Sequence, residues 1–309
     1  MELIDRYRGC LFGLAIGDAL GAPLEYQERG SFDPIDSMTG GGIFKVRAGE
    51  FTDETSMALA LAESLIESRG FNPSDQMDRY LKWYHQGHLS SQGWCFDVSV
   101  INRKAILSYE ATKQPFGGLD DEDANANGSL ARIAPIPLTY SSNPTKALDY
   151  AGECSRTTHA HRQCIDACRY LSALIVGALH EVPKNVLLKG IYEPVTDYWK
   201  HRPLDAAVEA VAKGSYKKKK EADLVPDGNV ISCLEGALWA FNKSKSFEEG
   251  ALMAVNLGYD ADATGAVFGQ LAGAFYGESQ IPVQWRTQIA LAHVIRRYSE
   301  QLFALAQTM

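Results

Sequence analysis

Gly9-Cys10-Leu11-Phe12-Gly13-Leu14-Ala15-Ile16-Gly17-Asp18-Ala19-Leu20-Gly21 places a glycine at every fourth position. Residues four apart share one face of an α-helix. Each glycine in a helix interior costs about 1 kcal/mol relative to alanine, so a full stripe needs a compensating gain. Close approach of two helix backbones, which only small side chains permit, supplies one. A second stripe, Gly265, Gly269, Gly273 and Gly277, has the same period near the other end of the chain. Together they predict a central pair of helices packed backbone to backbone. A membrane dimer motif is excluded, because Asp18 interrupts an apolar stretch that is already too short.

Outward from these stripes, helical signals dominate. Asn143-Pro144 reads as an N-cap followed by proline in the first turn. Residues 160–180, 246–256 and 282–307 read as helices, with 97–111 and 228–241 as further candidates. Alternating strand patterns are scarce, and 42–46 is the best short one. The expected class is all-α, with long loops at 27–50 and 113–127. Loops of that length in a compact domain are commonly functional. No repeat or linker divides the chain, so one domain over 1–309 is expected.

The 309 residues include 38 acidic and 30 basic side chains, for a net charge of −8, with 46% hydrophobic and 22% charged residues. This is globular composition, which argues against disorder. An acidic chain has no general attraction to phosphate backbones, so no nucleic-acid or anionic-membrane partner is expected. No apolar run is long enough to span a bilayer, and the N-terminus lacks the basic-then-apolar order of a signal peptide. A cytoplasmic monomer is the expectation. Six cysteines are too few for a disulfide scaffold and would be reduced there.

Four clusters carry carboxylates or amides beside glycine. They are Gly17-Asp18 through Glu25, Thr52-Asp53-Glu54-Thr55, Asn127-Gly128-Ser129 with Arg132, and Gly258-Tyr259-Asp260-Ala261-Asp262-Ala263-Thr264. Helix capping accounts for one acidic residue at each helix start. It does not explain Asp260 and Asp262 together between two glycine-lined segments. Crowded carboxylates repel unless a cation sits among them. Oxygen-only ligands suit hard divalent ions such as Mg²⁺ or Mn²⁺.

These clusters, in this order, resemble the ADP-ribosylglycohydrolase family, which includes the dinitrogenase reductase-activating glycohydrolase and the ADP-ribosylarginine hydrolases. The resemblance runs from Tyr7 to Gly277 and takes in the first helix, Thr52 to Met57, Cys95-Phe96-Asp97-Val98, Asn127 to Arg132, Thr158-His159, and Val255 to Asp262. It implies a compact, orthogonal multi-helix fold with a central cleft holding two Mg²⁺ ions, Mn²⁺ being possible. It also implies removal of ADP-ribose from modified protein side chains, arginine favoured, so the partner would be an ADP-ribosylated protein or ADP-ribose conjugate. By the same resemblance Thr52, Asp53, Glu54, Asp260, Asp262 and Thr264 would serve the metals. Glu25 and Asp97 would be the catalytic carboxylates. Asn127, Gly128, Ser129, His159, Gly258 and Tyr259 would line the ADP-ribose site.

Four positions depart from the family pattern. Glu54 and Ala263 stand where Asp and a metal-binding Thr are common, and Ala131 and Ser99 where Met and Gly are usual. Thr264 follows Ala263, but on a helix the next residue points about 100° away. These departures support a second reading, a catalytically impaired relative that binds ADP-ribose or a partner protein, for example one that protects against an ADP-ribosylating toxin.

A zinc cluster of Cys154, His159, His161, Cys164 and Cys168 is a weaker reading, since structural zinc prefers tighter paired spacing. Among the tryptophans, Trp94 beside Phe96-Asp97 is the one placed to stack on an adenine. The others read as packing residues. Lys217 to Lys220 reads as a solvated loop, and Gly40-Gly41-Gly42 lacks the lysine of a phosphate-binding loop.

Overall fold

The computed structural model describes residues 1–309. Ten helices of nine residues or more make the frame. They are α1 (Leu3–Gly21), α2 (Asp53–Glu67), α3 (Pro73–Gln86), α4 (Val100–Thr112), α5 (Pro144–Arg156), α6 (Arg162–Leu179), α7 (Val230–Lys243), α8 (Phe247–Val255), α9 (Ala261–Tyr276) and α10 (Ala292–Ala306). No β-sheet forms; only isolated bridges occur, such as Gln27 with Tyr259. The all-α expectation is borne out.

α1 and α9 run antiparallel through the centre, and their glycine stripes meet residue by residue. A Cβ added to Gly9, Gly13 or Gly17 would lie 2.3, 2.2 or 2.0 Å from the carbonyl oxygen of Gly273, Gly269 or Gly265. No real side chain tolerates such distances. At Gly21 the added Cβ would strike the backbone of Ala261 and Asp262. The stripes thus bring the C-terminal end of α1 against the N-terminal end of α9. Both helices are buried over nearly their whole length. One hydrophobic core, from Tyr7 to Ala306, wraps them.

The local caps follow the sequence. Asn143 accepts from Lys146 N–H ahead of Pro144 in α5, and Ser246 from Glu249 N–H in α8. Asn229 caps α7 and Ser99 caps α4. Two expectations fail. Residues 42–46 form a turn closed by paired backbone bonds between Gly41 and Val46, not a strand, because Gly41, Gly42 and Lys45 all have positive φ. The segment 282–307 is two helices, Val283–Gln288 and α10, broken at Ile289 to Leu291. Leu291 is left-handed there, and Ala290 N–H donates to Gly49 O at 2.8 Å. The break therefore follows from a contact with the long 27–50 loop. No helix is long and apolar enough to cross a membrane.

Candidate active site

The cleft lies where the stripes end. Asp18, fully buried near the end of α1, reaches the start of α2. Its carboxylate accepts from Thr52 N–H (2.9 Å), Thr52 Oγ1 (2.8 Å), Thr55 N–H (3.0 Å) and Thr55 Oγ1 (2.5 Å). This caps α2 from another helix and satisfies donors that a helix start leaves free. The Thr52 hydroxyl also lies 2.7 Å from Glu54 Oε2 and 3.2 Å from Asp262 Oδ2. One hydroxyl proton thus faces three carboxylates.

From α9 come Asp260 and Asp262. Asp260 N–H donates to Pro226 O, and Asp260 Oδ2 accepts from Asn127 Nδ2 at 2.6 Å. Glu25 is held opposite them by the Gln27–Tyr259 bridge, in which Tyr26 N–H bonds Tyr259 O and Tyr259 N–H bonds Gln27 O, both at 2.7 Å. Asp97 has a left-handed backbone (φ 58°) and its carboxyl meets that of Glu25. Asp53 accepts from Asn102 Nδ2 at 3.2 Å, and Asn102 Oδ1 accepts from the buried Arg132 at 3.0 Å.

The resulting cavity of about 720 Å³ is lined by eight carboxylates: Glu25, Glu28, Asp53, Glu54, Asp97, Asp227, Asp260 and Asp262. No lysine, arginine or histidine lines it. Burial, and then neighbouring carboxylates, push the acids toward their protonated forms. Asp18 rises to about 7, Asp53 to about 6 and Glu25 to about 10. Glu54, Asp97, Asp260 and Asp262 move up for the same leading reason. Three overlapping triads, Asp18–Glu54–Asp262, Glu25–Asp97–Asp262 and Asp53–Glu54–Asp97, have ligand oxygens within 4.8 Å of one another. Asp262 Oδ1 and Glu25 Oε2 are buried without any hydrogen-bond partner. Buried oxygens of this kind are costly unless something answers their charge, and a divalent cation does so. The donor set fits a hard cation.

Of the residues singled out from sequence, Glu25, Asp53, Glu54, Asp97, Asn127, Gly128, Tyr259, Asp260 and Asp262 line the cavity. Thr52 lies directly beneath it, among its carboxylates. Four others do not line it. Thr264 Oγ1 donates to Asp260 O at 2.8 Å, within its own helix. Ser129 Oγ shares a bond with Ser155 Oγ behind the wall. Gly258 packs against the backbone of Gln27. His159 is fully buried beside Gly128, its Nδ1 bonded to Thr158 Oγ1 and its Nε2 unpartnered. The cysteines of the zinc reading point to separate partners: Cys154 to Gln76, Cys164 to Ala126 O and Cys168 to Ser129.

Sequence patterning gives no site role to Asp18, Asn102, Tyr26 or Phe44. Only Asp18 carries a signal, as a lone acid within a small-residue, apolar helix.

The whole chain, residues 1–309, matches the family model described as ADP-ribosylglycohydrolase. It is 33% identical to the ADP-ribosylarginine hydrolase Tri1 of Serratia proteamaculans, over 99% of this chain and 81% of that protein. It is 29% identical to the ADP-ribosyl-[dinitrogen reductase] glycohydrolase of Rhodospirillum rubrum, over 98% and 97%. A solved structure titled ADP-ribosylglycohydrolase-related protein complex superposes with a TM-score of 0.86 at 40% identity, covering 99% of both chains.

Proposed function

This chain belongs to the ADP-ribosylglycohydrolase family, and from that premise we propose that it is a Mg²⁺-dependent hydrolase releasing ADP-ribose from modified protein side chains, with arginine the favoured acceptor. The observation that carries the reading is the cavity of eight carboxylates with no basic lining residue and two orphaned buried oxygens, on Asp262 and Glu25. Arginine is favoured because two relatives at 33% identity bear the name ADP-ribosylarginine hydrolase.

Thr52, Asp53, Glu54, Asp260 and Asp262 would hold two Mg²⁺ ions, or Mn²⁺. When bound, such ions supply Lewis acidity and orient ribose hydroxyls and a water. Asp18 keeps Thr52 turned toward that centre, and Thr264 steadies the backbone carbonyl of Asp260. The Glu25–Asp97 pair shares protons that carboxyls in contact cannot both release. In hydrolysis the water oxygen bonds to the anomeric carbon as the carbon–nitrogen bond breaks. The bonding electrons leave on the guanidine nitrogen, which takes up a proton. The pair accepts the proton lost by water and supplies that of the leaving group. Oxocarbenium-like charge on the sugar is stabilised by the surrounding carboxylates. Asn127, Gly128 and Tyr259 form the wall against which ADP-ribose lies. The six unpaired cysteines suit a reducing compartment such as the cytoplasm.

The test is ADP-ribose release from arginine-, serine- and cysteine-modified proteins, with Asp260→Ala as control. Release from the arginine conjugate, abolished in the variant, supports the reading. Release at the parent rate by Asp260→Ala contradicts the metal assignment.

A further inference from the structure

We propose that Phe44, Phe96 and Trp94 form a shelf that receives the acceptor side of the substrate, the guanidinium-bearing arginine of the modified protein. This inference rests on the arginine reading above.

Phe44 lines the cavity together with Glu25 and Asp97. Its ring packs on Phe96 with centroids 5.7 Å apart, and Phe96 packs on Trp94 at 6.5 Å. Trp94 is 58% exposed, as is Ile43 beside Phe44. The aromatic surface therefore runs outward from the Glu25–Asp97 pair, where the leaving group departs. Large exposed apolar side chains grouped at a cleft mouth mark an interaction surface.

The loop carrying Trp94 is braced. Gly87, Leu89 and Gly93 hold left-handed or positive-φ backbone, and a Cβ at Gly87 would lie 2.3 Å from Gly93 O. Ser90 Oγ donates to Trp94 O at 2.7 Å, and Ser91 Oγ donates to Phe51 O at 2.6 Å, one residue before Thr52. On the other side, Gly42 sits against the backbone of Ala22 and Pro23. Both halves of the shelf are thus tied to the elements that carry the carboxylates. An exposed tryptophan held in place loses little freedom on binding.

Charge selects the occupant. Eight carboxylates and no basic residue line the adjoining cavity, which draws a cationic group to its mouth. A guanidinium stacks on tryptophan and phenylalanine faces while keeping its in-plane donors for carboxylates. Adenine would stack as well, but it belongs to the retained ADP-ribose rather than to the departing side.

The experiment compares dissociation constants for an arginine-ADP-ribosylated peptide and for free ADP-ribose, measured calorimetrically with Mg²⁺. An Asp97→Asn background slows turnover. Trp94→Ala should weaken the peptide roughly five- to tenfold and leave ADP-ribose unchanged. Trp94→Phe should recover most of the loss, and Phe44→Leu should repeat it from the cavity side. Equal weakening of both ligands would assign the shelf to adenine, and no change in either would show that it binds neither; both outcomes overturn the inference. Failure of the hydrolase reading is separate, because unmodified protein would then leave the conjugate intact whatever the binding ratio.

Discussion

The Asp18 carboxylate accepts both the backbone N–H and the hydroxyl of Thr52, at 2.9 and 2.8 Å, although the two residues lie on different helices. That pairing joins the glycine-striped centre to the carboxylate cleft. α1 is pressed against α9 by its stripe, α9 carries Asp262, and Asp18 fixes the start of α2 beside them. Helix packing therefore sets the spacing of Asp18, Thr52 and Asp262, while the Gln27–Tyr259 bridge and the left-handed Asp97 bring in the remaining carboxylates.

Asp18→Asn tests this joint. The amide cannot accept at all four contacts, so at least one buried donor of Thr52 or Thr55 loses its partner. An unsatisfied buried donor costs about 1–3 kcal/mol. Chemical denaturation should show that loss, and calorimetry should show weakened Mg²⁺ binding. Unchanged Mg²⁺ affinity would remove Asp18 from any role in positioning Thr52.

Gly269→Ala tests the stripe. Its Cβ would sit 1.9 Å from Gly13 O, so α1 and α9 must separate. Overpacking of this severity should cost about 3 kcal/mol or more. Gly190→Ala is the control, since a Cβ there meets nothing within 4 Å. A Gly269→Ala protein as stable as the control would refute the close approach.

The buried acids set a pH dependence for the metal-free protein. Asp18 is raised to about 7 and Asp53 to about 6, so the folded state holds protons that the unfolded chain has released. Stability is then fully present below the unfolded carboxyl pKa, near 4, and declines as pH rises toward 7. The slope is about 1.4 kcal/mol per pH unit for each retained proton. Melting in EDTA should fall between pH 5 and 7.5, and Mg²⁺ should restore it at pH 7.5. A melting temperature that climbs over this range in EDTA would contradict the burial of these charges.

Glu25→Gln and Asp97→Asn separate chemistry from structure. Each removes one member of the carboxyl pair while keeping its shape. Turnover should fall by roughly 10²–10⁴-fold. Helicity by circular dichroism should be unchanged. Parent-like turnover in both would move proton transfer elsewhere.

Much of this was legible in the sequence because its signals are local. The four-residue glycine period announced a close helix pair. The acids Asp53, Glu54, Asp260 and Asp262 point to a charged cleft. What stayed hidden depends on distant contacts. Residues 282–307 read as one helix because nothing within that stretch reveals that Gly49 O captures Ala290 N–H. Asp18 had no assigned role because Thr52 and Thr55 lie more than thirty residues away. The 42–46 alternation looked like a strand, but positive φ at Gly41, Gly42 and Lys45 makes it a turn. Thr264 follows Asp262 by two residues, and the contact that its hydroxyl makes with Asp260 O is set by the helix turn rather than by the motif.

A metal-dependent hydrolase centre in the carboxylate cleft makes ADP-ribose release from arginine-ADP-ribosylated protein depend on Mg²⁺. Assayed with Mg²⁺, with EDTA, and after Mg²⁺ is restored, the unmodified chain should release ADP-ribose with Mg²⁺, release none with EDTA, and recover on add-back. Release that persists undiminished in EDTA, or no release from any conjugate with Mg²⁺ present, would contradict that assignment.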